Sequence, residues 1–189
     1  MKFDPDVHQR RSIRLAGYDY SSVGFYFVTI CIQNRECLLG EIVDGEVVLN
    51  DAGQMVEKVW TELPQRYFGV DIDEFIIMPN HFHGIIILQS PVGAPLAAPS
   101  YRQNENTNQG AASSAPTDNK TLGDVVRAFK SISAIGVNKI VGRSGQPLWQ
   151  RNYYERIIRN EEELHQTRQY IRDNPIQWEF DDENPTNHQ

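Results

Sequence analysis

Apolar residues in the first half of the chain are grouped as they are in β-strands. Residues 25–32 (FYFVTICI) are almost all β-branched or aromatic, and residues 45–49 form a shorter run of similar character. Residues 70–78 and 81–88 are two more apolar runs, and the proline-asparagine pair between them is a turn signal. The pattern therefore predicts four strands, of which the last two pair as an antiparallel hairpin.

Two segments have the periodicity of helices with one apolar face. The first follows the cap residues Asn50 and Asp51 and stops at Pro64, and its apolar positions are Val56, Val59, Trp60 and Leu63. The second starts at Thr121, and its apolar positions are Leu122, Val125, Val126, Phe129 and Ile132. Both helices have an apolar face that must be buried against a partner.

A third helix is predicted near the end of the chain. Asn160 is a favourable cap, and the three glutamates that follow it suit the positive end of a helix dipole. The pattern continues to Asn174, where Pro175 stops it. Strands, helix, hairpin and helices in this order predict an α+β sandwich with a central antiparallel sheet and helices on one face.

The chain has the size and composition of one domain. It has 189 residues, of which 40% are hydrophobic and 23% charged, so it can bury a core. Residues 90–119 differ, because 24 of these 30 are Gly, Pro, Ala, Ser, Asn, Gln or Thr. We therefore predict a single domain over residues 1–189 with a flexible or disordered insert at about residues 90–119.

Several features predict a soluble, cytoplasmic protein without a membrane partner. No apolar run approaches the ~18 residues that a membrane span needs, and the first residues have no signal-peptide character. Cys31 and Cys37 are too few for a disulfide framework or a cysteine metal site, which fits a reducing compartment. We expect both cysteines to be packing residues.

The net charge of −7 conceals one basic region. Residues 120–160 contain eight basic and two acidic side chains, whereas residues 161–189 contain two and eight. Nucleic-acid binding needs a basic surface, and this region supplies one despite the acidic total. A solvated surface would give the same pattern.

Two histidines follow the predicted turn, at the start of the second hairpin strand. Because alternate side chains of a strand share a face, His81 and His83 point the same way and can chelate one divalent ion. A pair of surface or hydrogen-bonded histidines would leave the same pattern. A third ligand and a nucleophile would distinguish a catalytic metal site from such a pair.

The last predicted helix offers both. Tyr170 and Asn174 are four residues apart and lie on one helical face, where Asn174 can give an amide oxygen to a cation and Tyr170 can act as a nucleophile. Tyr153 and Tyr154 are alternative nucleophiles, although both also suit base stacking or core packing. We favour Tyr170 because, of the three, it alone has an amide partner one turn further on.

These motifs resemble those of a known family. Residues 78–84 (MPNHFHG) are similar to the His-hydrophobic-His motif of the HUH single-strand DNA transposases, and residues 170–175 (YIRDNP) resemble their Tyr-x-x-x-Gln/Asn helix. Residues 10–15, 17–20, 25–29 and 149–159 resemble the branch called REP-associated tyrosine transposases, which have an IS200-like transposase domain. The resemblance extends from about residue 8 to residue 178, without the insert.

The resemblance implies a fold and a mechanism. It implies a ferredoxin-like (RRM-like) sandwich in which His81, His83 and Asn174 hold Mg²⁺ or Mn²⁺. Tyr170 would attack a DNA phosphate and leave a 5′-phosphotyrosine and a free 3′-hydroxyl, which can rejoin DNA ends. Asn174 stands where insertion-sequence members have Gln, so its reach toward the metal is one methylene shorter.

The expected partner is single-stranded or hairpin DNA. Basic residues would contact its phosphates and aromatic residues would stack on its unpaired bases. The candidates are Arg10, Arg11, Arg14, Arg127, Lys130, Arg143, Trp149, Arg151, Tyr153, Tyr154 and Arg156. The protein would act as a monomer or as a homodimer, with the site built from one chain or from two that exchange helices.

Two other functions fit parts of the sequence. A regulator that binds structured single-stranded DNA or RNA without cleaving it would use the same fold with an inactive metal site. A histidine phosphoesterase would use His81 and His83, but a third histidine at the next alternate position is replaced by Ile85. We favour the transposase-like nuclease over both.

Overall fold

The structure is a computed structural model that describes residues 19–89, 120–181 and 183–188. Its strands are β1 (Gly24–Cys31), β2 (Gly40–Val43), β3 (Glu46–Leu49), β4 (Val70–Ile77), β5 (His81–Leu88) and β6 (Tyr154–Ile158). Its helices are α1 (Asp51–Thr61), α2 (Leu63–Arg66), α3 (Leu122–Ile140) and α4 (Glu161–Asp173). Short 3-10 turns follow at Gln33–Arg35, Trp178–Phe180 and Pro185–His188. The predicted insert at 90–119 lies outside the described residues.

Four strands form one antiparallel sheet in the order β4-β5-β1-β6. With α1 between β1 and β4, and α3 between β5 and β6, this is the split βαβ order of a ferredoxin-like fold. The predicted α+β class with a central antiparallel sheet is therefore confirmed. Strands β2 and β3 pair as a separate hairpin between β1 and α1.

The main core lies between the sheet and the pair α1 and α3. Its centre is an aromatic cluster in which the ring of Trp60 lies 4.4 Å from that of Phe82 and 5.1 Å from that of Phe129, measured between centroids. All three rings are fully buried. Because they come from α1, β5 and α3, the cluster joins both helices to the sheet.

The opposite face of the sheet is covered by α4. Leu164 and Ile171 of α4 are buried against Phe27 of β1 and Ile85 of β5. The prediction had the helices on one face, and the difference has a physical cause. Phe27 and Ile85 alternate with the residues of the main core, so the second face is also apolar and needs a cover.

The helix caps explain where the helices begin. Asn50 accepts hydrogen bonds from the backbone N–H groups of Ala52 and Gly53, and Asn160 accepts one from Glu163. Thr121 and Asp124 form a reciprocal capping box at the start of α3. None of the helices in the described residues is long and apolar enough to cross a membrane.

Strand β6 lies in a region that the sequence predicts to be mainly helical. Its five residues include two charged side chains, so they carry a weak strand signal. Pairing with the buried strand β1 over Tyr154–Ile158 determines its conformation. It is the edge strand of the sheet beside β1, and it brings Tyr154 and Arg156 to the α4 face.

We predict that Gly84→Ala destabilises the protein by about 1–3 kcal/mol. A Cβ at Gly84 would lie 2.7 Å from a ring carbon of Trp60 and 2.7 Å from one of Phe82, and neither ring can move within the packed core. Thermal denaturation would show a lower midpoint than in the wild type.

Gly136→Ala is the matched control. A Cβ there meets only the flexible side chain of Met55 at 2.7 Å, and alanine favours a helix interior over glycine by about 1 kcal/mol. We expect this variant to be as stable as the wild type or more so. Equal midpoints for Gly84→Ala and the wild type would contradict the assigned packing.

Candidate active site

The two histidines of β5 lie side by side on the face that α4 covers. The centroids of their rings are 4.7 Å apart, and His81 is 0% and His83 4% exposed. Burial lowers the pKa of His81 to about 4, although the charge of Asp181 and the amide of Asn174 oppose this shift. Burial is the main reason why the pKa of His83 lies well below its usual range, and the neighbouring His81 lowers it further. Both imidazoles are therefore neutral at pH 7.

Asn80, in the turn before β5, sets the proton position on His81. Its side-chain N–H₂ donates to the carbonyl oxygens of Arg35 and Glu183, so its Oδ1 faces Nδ1 of His81 at 2.9 Å. An amide oxygen can only accept, so Nδ1 of His81 carries the proton and Nε2 keeps its lone pair. Nδ1 of His83 lies 2.8 Å from the hydroxyl oxygen of Thr29, and this hydrogen bond fixes the orientation of the His83 ring.

Helix α4 brings Tyr170 and Asn174 to the histidines. The ring of Tyr170 lies 5.2 Å from that of His83 between centroids, and 46% of the residue is exposed. Burial, and then the charge of Asp181, raise the pKa of the phenol, while the amide of Asn174 lowers it. Tyr170 is therefore protonated at neutral pH and needs activation to act as a nucleophile.

Three buried atoms at this site suit a metal ion. Nε2 of His81, Nε2 of His83 and Oδ1 of Asn174 are buried and have no well-formed hydrogen bond to any described residue. Unpartnered buried polar atoms are costly, so a set of two nitrogens and an oxygen fits a bound cation. No group of three His, Cys, Asp or Glu side chains in the described residues has a metal-binding arrangement, so this donor set differs from such a group in having an amide oxygen as its third member.

These residues open into a cleft of about 660 Å³. Its wall includes three carboxylates, from Glu163, Asp181 and Glu183, and the guanidinium of Arg156. Oδ2 of Asp181 lies 3.8 Å from Nε2 of His81, which is too long for a hydrogen bond. Arg156 lies 3.8 Å from Glu163 and Arg35 lies 3.0 Å from Glu183, so Asp181 supplies most of the remaining negative charge of the cleft.

The acidic residues come from the segment after α4, which folds back over the histidines. Glu183 pairs with Arg35, its carbonyl accepts from Asn80, and the ring of Trp178 lies 6.0 Å from that of His81. Sequence patterns give no signal that this segment belongs to the site, because its acidic residues suit a solvated surface equally well. Asn80 was identified only as part of a turn, although its position next to His81 is a signal for an orienting partner.

The candidate DNA-binding residues divide between two places. Tyr154 and Arg156 line the cleft that holds Tyr170. A second cleft of about 380 Å³ lies beside α3, and its wall includes Arg127, Lys130, Arg151, Tyr153 and Trp149. Arg143 pairs with Glu36 at 2.6 Å. Arg10, Arg11 and Arg14 lie outside the described residues.

Two of these candidates are structural. Trp149 is only 5% exposed, and its indole N–H donates to Ser133 within the core, so it is not presented for base stacking. Nζ of Lys130 donates to the carbonyl oxygens of Gln150 and Arg151, which stabilises the loop before β6. A sequence pattern cannot separate these roles from DNA contacts, because both use the same residue types.

Two ion pairs hold α4 in place. Arg168 forms a bidentate pair with Asp73, at 2.8 and 2.6 Å, and Arg172 pairs with Glu74 at 2.6 Å. Arg168 and Arg172 are one helical turn apart, and the β4–β5 register shifts between Ile72 and Phe75, where both acids lie. This irregularity lets two consecutive residues of β4 reach one face of α4, the helix that carries Tyr170.

Comparisons with known proteins agree with this architecture. An uncharacterized protein of Haemophilus influenzae is 42% identical over 182 residues, which cover 95% of this chain and 96% of that protein. A REP-associated tyrosine transposase, solved bound to a REP hairpin, superposes with a TM-score of 0.54 at 18% identity. The match covers 87% of this chain and 73% of the transposase and shows a shared fold. No protein-family model matches the chain.

We predict that Asp73→Asn lowers the free energy of unfolding by about 1–2 kcal/mol at pH 7, because it breaks a bidentate pair that is partly buried. The hydrogen bond from Arg168 holds the pKa of Asp73 below its usual range. The stabilisation is therefore present above about pH 4, the pKa of an unfolded Asp, and decreases as the pH falls through the lower folded-state pKa. Urea denaturation of the wild type and of Asp73→Asn from pH 7 to pH 3 measures the difference in their free energies of unfolding.

Asp71→Asn is the control on the same strand. Asp71 accepts from the next backbone N–H just as Asp73 does, but no described arginine pairs with it. We expect Asp71→Asn to change the stability by less than about 0.5 kcal/mol. An equal loss in both variants would show that the Arg168 pair does not hold α4.

Proposed function

We propose that this chain, which belongs to the same family as the uncharacterized Haemophilus influenzae protein, is a metal-dependent nuclease and strand transferase of single-stranded DNA. The observation that carries the proposal is the proximity of Tyr170 on α4 to the imidazole pair at the start of β5. These residues are nearly ninety positions apart in the sequence. The fold shared with a REP-associated tyrosine transposase supports the same function.

The metal-binding residues of the proposal are His81, His83 and Asn174. Both imidazoles are neutral at pH 7 and an amide oxygen carries no proton, so none of the three needs to lose a proton before it binds a cation. A bound Mg²⁺ or Mn²⁺ would withdraw charge from the scissile phosphate. A bound cation would also offset the negative charge of Asp181 beside His81.

Tyr170 is the proposed nucleophile. Its phenol oxygen would form a bond to phosphorus while the bond from phosphorus to the 3′-oxygen breaks, and the 3′-oxygen takes up a proton. The phenol proton passes to the solvent, since 46% of the residue is exposed. The products are a 5′-phosphotyrosine and a free 3′-hydroxyl, and attack by a 3′-hydroxyl on that linkage rejoins the DNA without ATP.

The proposed substrate is single-stranded or hairpin DNA. The fold neighbour was solved with a REP hairpin, and Tyr154 and Arg156 offer this chain an aromatic ring and a positive charge at the rim of the reactive cleft. Arg127, Arg151 and Tyr153 in the second cleft would contact a more distant part of the same DNA. One chain brings together all the proposed reactive residues, and we propose a monomer as the cleaving unit.

We predict that incubation with Mn²⁺ and a hairpin oligonucleotide with a 5′ single-stranded extension gives a protein–DNA adduct that survives SDS. Tyr170→Phe should reduce the adduct below detection, because the phenol oxygen that forms the covalent bond is removed. Tyr154→Phe is the matched control, because Tyr154 lines the same cleft and is 44% exposed. Denaturing gel electrophoresis of labelled DNA measures the adduct.

The outcomes separate the candidate functions. An adduct that persists in Tyr170→Phe and disappears in Tyr154→Phe would assign the nucleophile to Tyr154. DNA binding without an adduct in any variant would instead identify a non-cleaving regulator.

We predict that His83→Ala and Asn174→Ala each lower the affinity for Mn²⁺ at least about tenfold, because each removes a proposed ligand. Asn80→Ala should lower it about 10- to 100-fold through loss of the orienting bond to His81. His165→Ala, on the exposed side of α4, should leave the affinity unchanged. Calorimetric titration or the electron paramagnetic resonance signal of free Mn²⁺ measures these affinities without any cleavage assay. Equal binding by His83→Ala and the wild type would exclude the site.

A further inference from the structure

One large apolar side chain at the reactive cleft has no role in the mechanism above. Phe180 lines the cleft together with Tyr170, Tyr154 and Arg156, yet 83% of the residue is exposed to solvent. Exposed phenylalanines away from a binding site need no explanation, but an aromatic ring on the wall of a cleft that receives a ligand is placed to contact that ligand.

The backbone around Phe180 is held firmly. The 3-10 turn Trp178–Phe180 follows the end of α4, and the N–H of Phe180 donates to the carbonyl of Gln177 at 2.9 Å. The side-chain amide of Asn184 donates to the carbonyl of Trp178, and that of Asn187 donates to those of Glu179 and Asp181. The same turn directs Trp178 against His81 and Phe180 outward, so the exposed ring is presented by an ordered segment.

The chemistry of the cleft indicates which ligand the ring contacts. Arg156 on the same wall forms a long pair with Glu163 at 3.8 Å and its side chain is 54% exposed, so it can also contact a phosphate, and Tyr154 is a second exposed aromatic ring. An unpaired nucleotide has both features that these residues recognise, an anionic phosphate and an aromatic base with two apolar faces. In a paired duplex the bases stack on one another, and their faces are not available to a side chain.

We propose that Phe180 is a stacking platform for an unpaired base next to the phosphate that Tyr170 attacks. This inference rests on the proposed function, since it takes single-stranded DNA as the ligand. It adds a specific reason for strand selectivity, because a duplex could use the charge of Arg156 but not the ring of Phe180. A second copy of this chain is the competing occupant of the exposed ring.

The test measures binding in EDTA, where metal-dependent cleavage is suppressed. The full-length protein is titrated into a labelled hairpin with a 5′ single-stranded extension, and into the same hairpin with its extension paired to a complementary strand. Phe180→Ala should weaken binding to the single-stranded extension about 5- to 100-fold, the range for one base stacked on an aromatic side chain. Binding to the paired extension should not change.

Two further variants make the test specific. Phe180→Tyr keeps an aromatic ring and should bind like the wild type. Phe68→Ala removes a ring that is 79% exposed away from the cleft, and it should bind like the wild type. Quenching of 2-aminopurine placed in the extension should be present in the wild type and in Phe180→Tyr, and absent in Phe180→Ala.

The possible results decide between the occupants. Equal affinity of Phe180→Ala and the wild type for the single-stranded extension would overturn the proposal, as would an equal loss for both probes. A dimeric wild type that becomes monomeric in Phe180→Ala, measured by sedimentation, would assign the ring to a protein interface. If Tyr170 forms no adduct but DNA binding still depends on Phe180, only the nuclease function would be overturned.

Discussion

The site depends on the docking of α4 against the second apolar face of the sheet. Leu164 and Ile171 cover Phe27 and Ile85, and the Arg168–Asp73 pair fixes the helix along its axis. Tyr170 and Asn174 lie on this helix, whereas His81 and His83 belong to β5. Burial of apolar area holds the two elements together but is not directional, so the ion pairs with β4 determine which turn of the helix faces the histidines.

The same docking determines the chemistry of the histidines. Covering the second face removes them from water, which disfavours the imidazolium and leaves both side chains neutral. Burial also removes water from the ring nitrogens. The two nitrogens of each ring then differ in their hydrogen bonds. Nδ1 is hydrogen-bonded to Asn80 or Thr29, while Nε2 of each ring has no well-formed hydrogen bond to a described residue. A pair of merely structural histidines would be expected to use both nitrogens within the protein.

Much of the fold could be predicted from local signals, and the site only in part. The caps at Asn50, Thr121 and Asn160 and the hairpin around residues 79–80 depend on short-range chemistry, and the structure has all of them. Strand β6 and the second layer depend on pairing and burial between distant segments, which a local pattern does not contain. For the same reason Trp149 could be a core or a stacking residue until its burial was known. Asp181 and Glu183 gave no signal, because only the fold of the segment after α4 brings them to His81.

The charge of the cleft would link the proposed metal to the choice of substrate. Glu163 and Glu183 are paired with Arg156 and Arg35, but Asp181 still opposes a phosphate, so phosphate attraction alone gives the cleft little affinity for DNA. A divalent cation on His81, His83 and Asn174 would reverse the balance at the position nearest Tyr170, and stacking on uncharged rings adds affinity that the carboxylates do not oppose. A strand with unpaired bases would gain affinity from the cation and from stacking, whereas a duplex would gain affinity only from the cation. With a cation bound, the exposed aromatic rings at the wall of the cleft would therefore favour single strands over non-specific binding to duplex DNA.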